Sequence, residues 1–229
     1  MQEQIHTNRI LTEGQKFFLQ RLSESDFAAQ YVLSGGTALS AFHLSHRLSD
    51  DLDFFSLLPS DIPNTQVLRH WVETHFAQVS YNKVADRRQF FIRHGLESLK
   101  IEFVPLYFPR LLPPVPVGDL YVDSLEDIAA NKIIAMTDRF DPKDFYDVWS
   151  IARKTHLDIC AMVRLAEQKH RTNYRYLLHL ERILRNPDAL KTIRPLESFK
   201  VTDVTTFFSN AIRQLASDAL NEHLRREIS

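Results

Sequence analysis

Two aspartates one residue apart, Asp51 and Asp53, stand in the run Asp51-Leu52-Asp53-Phe54-Phe55. Acidic and apolar residues alternate there, which predicts a strand, and on a strand residues two apart share a face. Asp51 and Asp53 then project together while Leu52 and Phe54 pack behind them. Carboxylates held side by side repel each other unless a cation lies between them. A Mg²⁺ ion carrying a nucleotide's phosphates is a suitable occupant, because it takes one or two carboxylates together with phosphate oxygens. The residues just upstream fit the same chemistry. Tyr31-Val32-Leu33 predicts a short strand, Ser34-Gly35-Gly36 a tight turn, and the residues from Thr37 to about His46 a helix. Glycine lets the backbone turn sharply and come close to a ligand. Ser34, Gly36 and Thr37 would then offer hydrogen bonds to the β- and γ-phosphates at a helix N-terminus, where anions are favoured.

Further candidates lie along the chain. Arg47 and Ser49 precede the acidic strand; Arg47 suits a phosphate or carboxylate, or a structural ion pair. His43 and His46 have a spacing that can chelate a metal on a helix, but no third ligand is near them in sequence, so packing or surface roles outweigh metal binding. Three strand-like runs follow, over 78–84, 89–94 and 98–106, with Gly95 in the turn between the last two. In the third run Lys100, Glu102 and Val104 share a face, and Ile101 and Phe103 the other. Taken alone, this is an ordinary edge strand with alternating charges.

The combination of Gly35-Gly36-Thr37-Ala38-Leu39, a helix, then Arg47-Leu48-Ser49-Asp50-Asp51-Leu52-Asp53-Phe54 resembles the nucleotidyltransferase superfamily. In its finer form it resembles the abortive-infection nucleotidyltransferase toxins of the AbiEii/AbiGii type. The resemblance implies an α+β, polymerase-beta-like fold with a mixed sheet and flanking helices, plus a C-terminal helical part. It implies Asp51, Asp53 and Glu102 as holders of Mg²⁺ or Mn²⁺, with Lys100 two residues before the third acid. A second cluster, Ala130-Asn131-Lys132 through Arg139 and then Lys143-Asp144-Phe145-Tyr146-Asp147, places Lys132 and Asp144 at the family's functional lysine and later aspartate. Without the family both would be ordinary charged helix residues, and Asp147 is expected to be a structural companion of Asp144. The implied set is Asp51, Asp53, Glu102, Lys132 and Asp144 as catalytic residues, with Ser34, Gly35, Gly36, Thr37, Arg47, Ser49 and Lys100 around a nucleoside triphosphate. A cognate antitoxin and an acceptor such as tRNA are also implied.

The remaining elements must position these groups. Residues 8–26 read as an amphipathic helix carrying Ile10, Leu11, Phe17, Phe18 and Leu22. Pro59 and Pro63 mark a loop, Asn64 or Thr65 an N-cap, and 64–77 a helix. Five prolines between Pro105 and Pro116 exclude a central strand or helix and predict an extended connector. Ser124 and Asp127 form a capping-box pattern at the next helix start, and Asp141-Pro142 breaks that helix. Beyond 155 the pattern is helical, over 158–170, 173–185 and 202–226. A division into a core of 1–123 and a helical part of 124–229 suits the length.

The 229-residue chain carries a net charge of −1. The distribution is uneven, −6 over residues 1–150 and +6 over 151–200. The basic block suits a polyanion such as tRNA and equally suits a solvated helical surface. Cys160 is the only cysteine, which excludes an intramolecular disulfide and points to a reducing, cytoplasmic setting. No apolar run reaches the length of a membrane span. Transfer to a small molecule or a protein hydroxyl, a non-catalytic nucleotide-binding domain, and a plain helical scaffold are the competing readings. The ordered motifs argue against the last.

Overall fold

The computed structural model describes residues 3–58, 65–171 and 176–228. The Pro59/Pro63 loop, an N-cap at Asn64 and the first residues of the helix expected from 173 lie outside these. The chain divides into two compact units, Met1–Ile128 and Ala129–Ser229.

The first unit opens with a short helical turn, α1 (Glu3–His6), and helix α2 (Glu13–Ser23). Helix α2 starts later than the apolar periodicity suggests. Thr12 is its N-cap, and a reciprocal capping box joins Thr12 to Gln15. Ile10 therefore precedes the helix, and Phe18, Leu19 and Leu22 form its buried face. Strand β1 (Tyr31–Ser34) runs into helix α3 (Gly35–Ala38), which widens into a π-helical turn over Leu39–Leu44. Ser45, in the left-handed region at φ 50°, closes that turn with its N–H on the Ser40 carbonyl. Strand β2 (Leu52–Ser56) follows, then α4 (Thr65–His75), the strands β3 (Ser80–Val84), β4 (Arg87–His94) and β5 (Glu97–Val104), and the short pair β6 (Val115–Val117) and β7 (Leu120–Val122).

Among the described residues, seven strands form one mixed sheet in the order β3-β4-β5-β2-β1-β7-β6. Strand β2 is antiparallel to β1 and parallel to β5. The proline-rich stretch behaves largely as an extended connector, with Pro116 in the outermost strand, where a missing N–H costs the ladder little. The rear of the sheet is aromatic. Phe54 and Phe103 stack at 5.1 Å, and Phe18 of α2 lies against both. Trp71 of α4 and Phe76 just beyond it complete the cluster. Leu52 and Phe54 of β2 and Leu99, Ile101 and Phe103 of β5 face this buried wall, which leaves Asp53, Lys100 and Glu102 on the front.

Helix α5 (Leu125–Asp138) begins at Ser124, whose hydroxyl accepts the Asp127 N–H, as the capping pattern predicts. The Asp127 carboxylate accepts from the Ser124 hydroxyl and also from the backbone N–H groups of Leu111 and Leu112, tying the proline-rich connector to this helix start. In the second unit Asp141 caps α6 (Pro142–Lys154), with proline in the first turn. Helices α7 (Ile159–His170) and α8 (Tyr176–Arg185), a 3₁₀ turn over Pro187–Thr192 and the long α9 (Val201–Ile228) complete it. Phe145 and Phe208 meet edge to face at 5.3 Å in its core. The apolar residues of α9 are buried only in its first part: Val204, Phe208 and Ala211 are buried, whereas Leu220 is 59% exposed.

Candidate active site

Asp53 lies on the front of β2 in register with Ser34 of β1 on one side and Glu102 of β5 on the other. Neighbouring strands lie about 4.8 Å apart, so the Asp53 and Glu102 carboxylates share one front patch. Asp51 sits one residue before the strand rather than on it. It is nevertheless held by its backbone. The Thr37 hydroxyl donates to the Asp51 carbonyl, and the buried Gln15 amide donates to the carbonyls of Ser49 and Asp50 at 2.8 and 3.2 Å. Helix α2 is anchored in turn at the start of β5, where Glu97 accepts from the Thr12 hydroxyl and the Gly14 N–H.

The paired glycines have separate causes. Gly35 has φ +71°, and a Cβ there would overlap Asp53 Oδ2 and stand only 3.1 Å from its Cγ. At Gly36 a Cβ would lie 2.5 Å from Arg47 Nη2 and 2.9 Å from Ser49 Oγ. The turn is thus bare of side chains because Asp53 presses on its first glycine and Arg47 with Ser49 on its second. Arg47 is buried, and its guanidinium donates to the Leu48 carbonyl at 2.9 Å. Ser34 is 1% exposed, and its hydroxyl has no hydrogen-bond partner among the described residues.

The Lys100 ammonium stands among the acids, 2.6 Å from Glu102 Oε1 and 3.8 Å from Asp51 Oδ2. Burial works against its charge, but Glu102, Asp51 and Asp53 outweigh that and hold its pKa above the ordinary lysine value. Glu102, only 3% exposed, also accepts from the Gln89 amide at 2.8 Å and from Arg87 at 3.3 Å. Burial pushes its carboxyl up; Lys100, Gln89 and Arg87 prevail and leave it below the usual range. It is therefore a carboxylate at neutral pH. Gln89 and Arg87 are absent from the set the sequence suggests. A signal existed: the two-residue turn Gly95-Leu96 pairs His94 with Glu97, and counting back along that register sets Gln89 opposite Glu102.

The donor set is all carboxylate oxygen, which suits a hard cation such as Mg²⁺ or Mn²⁺. The Lys100 ammonium shows that positive charge is favoured between Asp51 and Glu102. Among the described residues no three His, Cys, Asp or Glu side chains form a ready metal cage. His43 instead bonds through Nε2 to the Asp123 carbonyl at 3.0 Å, and burial lowers its pKa. Asp123 is held by Arg110, whose guanidinium also reaches the carbonyls of Ser56 and Leu57 at 3.1 Å.

Lys132 and Asp144 form another cluster, in the second unit. Lys132 Nζ lies 2.7 Å from Asp144 Oδ1 and 2.7 Å from Asp147 Oδ2, and Arg139 reaches Asp144 at 3.0 Å. Burial pushes the Asp144 carboxyl up, while Lys132 and Arg139 draw it below its ordinary value. Asp147, expected only to accompany Asp144, is an equal partner of the lysine. In the basic stretch, Arg153 and Lys154 both pair with Glu197, and Arg185 with Glu181.

A mixed sheet presenting adjacent acids beside a glycine turn is the architecture of a nucleotidyltransferase. The chain belongs to the nucleotidyl transferase AbiEii toxin family of type IV toxin–antitoxin systems, whose profile matches residues 18–226. An uncharacterised protein of Aquifex aeolicus (strain VF5) is 28% identical over 165 residues, 71% of this chain and 77% of that protein. The crystal structure of JHP933 from Helicobacter pylori superposes with a TM-score of 0.57 at 16% identity, covering 94% of this chain and 99% of that one. A second H. pylori structure, solved under the provisional name of a nucleotidyltransferase, gives 0.56 at 17% identity, covering 90% and 98%. These structural likenesses establish the α+β nucleotidyltransferase fold. Among the described residues no helix is long and apolar enough to cross a membrane.

Proposed function

We propose that this nucleotidyltransferase moves a nucleoside monophosphate from an NTP to an acceptor hydroxyl with the help of Mg²⁺, and that it acts as the toxin of a toxin–antitoxin pair with tRNA as acceptor. The observation that carries the transfer reading is the convergence of Asp51 and Glu102 on one ammonium, with Asp53 between Ser34 and Glu102 in the sheet register. Asp51, Asp53 and Glu102 would hold the ion, which when bound offsets charge on the attacking and leaving oxygens of an in-line displacement.

The chain's own groups supply the rest. The side-chain-free turn admits the triphosphate beside the acids, and the N–H groups at the start of α3 face a negative ligand favourably. Ser34, buried and with no hydroxyl partner among the described residues, suits a phosphate oxygen. Thr37 fixes the Asp51 backbone, so its contribution is positional. Arg47, packed on Gly36, adds positive charge behind the turn. Glu102 stands ready as a carboxylate to take the proton of the attacking hydroxyl. Lys132 and Asp144 enter the proposed machinery through the family likeness, and their buried pairing means that loss of either affects folding as well as chemistry. The tRNA acceptor, the antitoxin and a role in phage defence likewise rest on the family.

The test is incubation with each of four α-labelled NTPs and total cellular RNA in Mg²⁺, followed by sizing of the labelled product. A labelled band of tRNA length that disappears with Asp53→Asn supports the whole proposal. Label on protein or on a small molecule replaces tRNA as acceptor. Equal label from the parent and Asp53→Asn refutes the assignment of the site.

A further inference from the structure

Lys100 occupies a position that a second cation would need. Its ammonium is 2.6 Å from Glu102 and 3.8 Å from Asp51, and its charge is also felt by Asp53. We infer that Lys100 is an internal counter-ion of the empty site, one that a divalent ion must displace and that then transfers its charge to the incoming triphosphate. This inference rests on the transfer reading above. It adds a competition between lysine and metal, and a linkage of metal binding to nucleotide binding through that lysine.

Three features support the exchange. First, Asp51, Asp53 and Glu102 gathered on one patch repel one another, and a single resident cation relieves all three at once. Second, the lysine has somewhere to go. Its side chain is about one-third exposed. In the sheet it lies in a row with Phe91 and Ser80, both exposed, so its flexible four-carbon stem is on a solvent-facing row. Third, Glu102 does not depend on Lys100 to stay in place. The Gln89 amide and Arg87 guanidinium still hold it after the ammonium leaves. The acidic patch is thus preset by backbone and amide contacts, while the charge balancing it is mobile.

The energetic consequence has a definite sign. With no nucleotide present, a divalent ion gains the carboxylates but must expel an ammonium from its contacts with Glu102 and Asp51, so the bare ion binds weakly. A triphosphate provides that anion. Ion and nucleotide then each favour the other's binding, and the coupling is reciprocal. Removing the ammonium should tighten binding of the bare ion by at least about tenfold, close to the lower bound of roughly fivefold that one unit-charge interaction at about 4 Å gives in bulk water; near a protein surface the same interaction reaches roughly a thousandfold.

The experiment is titration of Mn²⁺ alone, read by loss of the free-ion EPR signal, on the full chain and on Lys100→Met, Lys100→Arg and Asp53→Asn. Lys100→Met is expected to bind Mn²⁺ at least about tenfold more tightly than the parent, Lys100→Arg to stay near the parent, and Asp53→Asn to lose binding. With a non-hydrolysable NTP the parent should gain Mn²⁺ affinity and Lys100→Met should gain much less. The melting temperature of Lys100→Met should be reduced without Mn²⁺ and recover with it; Lys100→Gln serves if the methionine variant misfolds. Unchanged or weaker Mn²⁺ binding in a folded Lys100 variant, with binding still lost in Asp53→Asn, overturns the counter-ion role and leaves the carboxylate site standing. Absence of Mn²⁺ binding in parent and Lys100→Met alike removes the carboxylate site, and the counter-ion with it.

Discussion

Replacement of Gly35 by alanine separates two costs that coincide at the glycine turn. The first is conformational: at φ +71° an L-residue is strained, by about 1–2 kcal/mol. The second is local: the new Cβ would stand 3.1 Å from Asp53 Cγ and 3.2 Å from its Cβ, so the carboxylate must swing away. Gly95 provides the control. It has φ +62°, and nothing lies within 4 Å of a Cβ added there. Gly95→Ala should therefore lower stability by about 1–2 kcal/mol from backbone strain alone, with transfer activity intact. Gly35→Ala should lose about 1–3 kcal/mol, and a displacement of Asp53 by about 1 Å should reduce transfer about 100-fold. In an Asp53→Ala background the overlap with Oδ2 and Cγ vanishes and only the 3.2 Å contact with Cβ remains, so the cost of Gly35→Ala should fall toward that of Gly95→Ala. The assay is urea unfolding of the four variants together with labelled-NTP incorporation. Parental incorporation by Gly35→Ala would refute the claim that this glycine exists to admit Asp53.

Other predictions are more compact. Gln15→Ala removes the bonds to Ser49 and Asp50 and should cost about 1–3 kcal/mol in urea unfolding, with a matching fall in transfer as Asp51 loosens. Asp144→Leu takes one of two carboxylates from the buried Lys132 ammonium and should cost up to about 3–5 kcal/mol; a melting temperature unchanged from the parent would show that the pair adds no structural support. Asp144 has a lowered folded pKa, so its stabilising effect is complete above its unfolded value near 4 and is lost as pH falls below that. The stability gap between parent and Asp144→Asn should accordingly narrow below about pH 4. His43 is lowered as well, chiefly by burial, so its contribution is present above its unfolded value of about 6.5 and declines as acid charges it. His43→Gln should flatten the stability profile between pH 7 and 5; an unaltered slope there would assign it to other histidines.

The acids and the turn were legible because their geometry is local. Alternation in Leu52-Asp53-Phe54 sets which side chain faces forward once a strand exists. Two consecutive glycines announce a backbone that cannot carry a Cβ, and Asp141-Pro142 announces a helix boundary. The start of α2 was less legible, since its apolar periodicity extends past the Thr12 cap that ends it. The extent of burial along α9 was not legible either, since it depends on which part of the helix packs, and Leu220 remains in solvent.

The sequence by itself determined that adjacent acids and a bare turn would occur in order, because strand alternation and glycine's freedom act over a few residues. Only the tertiary structure decided what those groups touch. Strand register set Gln89 and Arg87 on Glu102, close packing made Gly35 a neighbour of Asp53 and Gly36 a neighbour of Arg47, and Lys100 came to rest between Glu102 and Asp51. Lys132, which the family resemblance implies as a catalytic lysine, is shared by two buried aspartates on the next helix, a pairing that chain spacing did not announce. The physical reason is common to all of these. Charge pairing and steric exclusion depend on distances in space, and chain spacing does not specify distance between segments until the sheet and helices have packed.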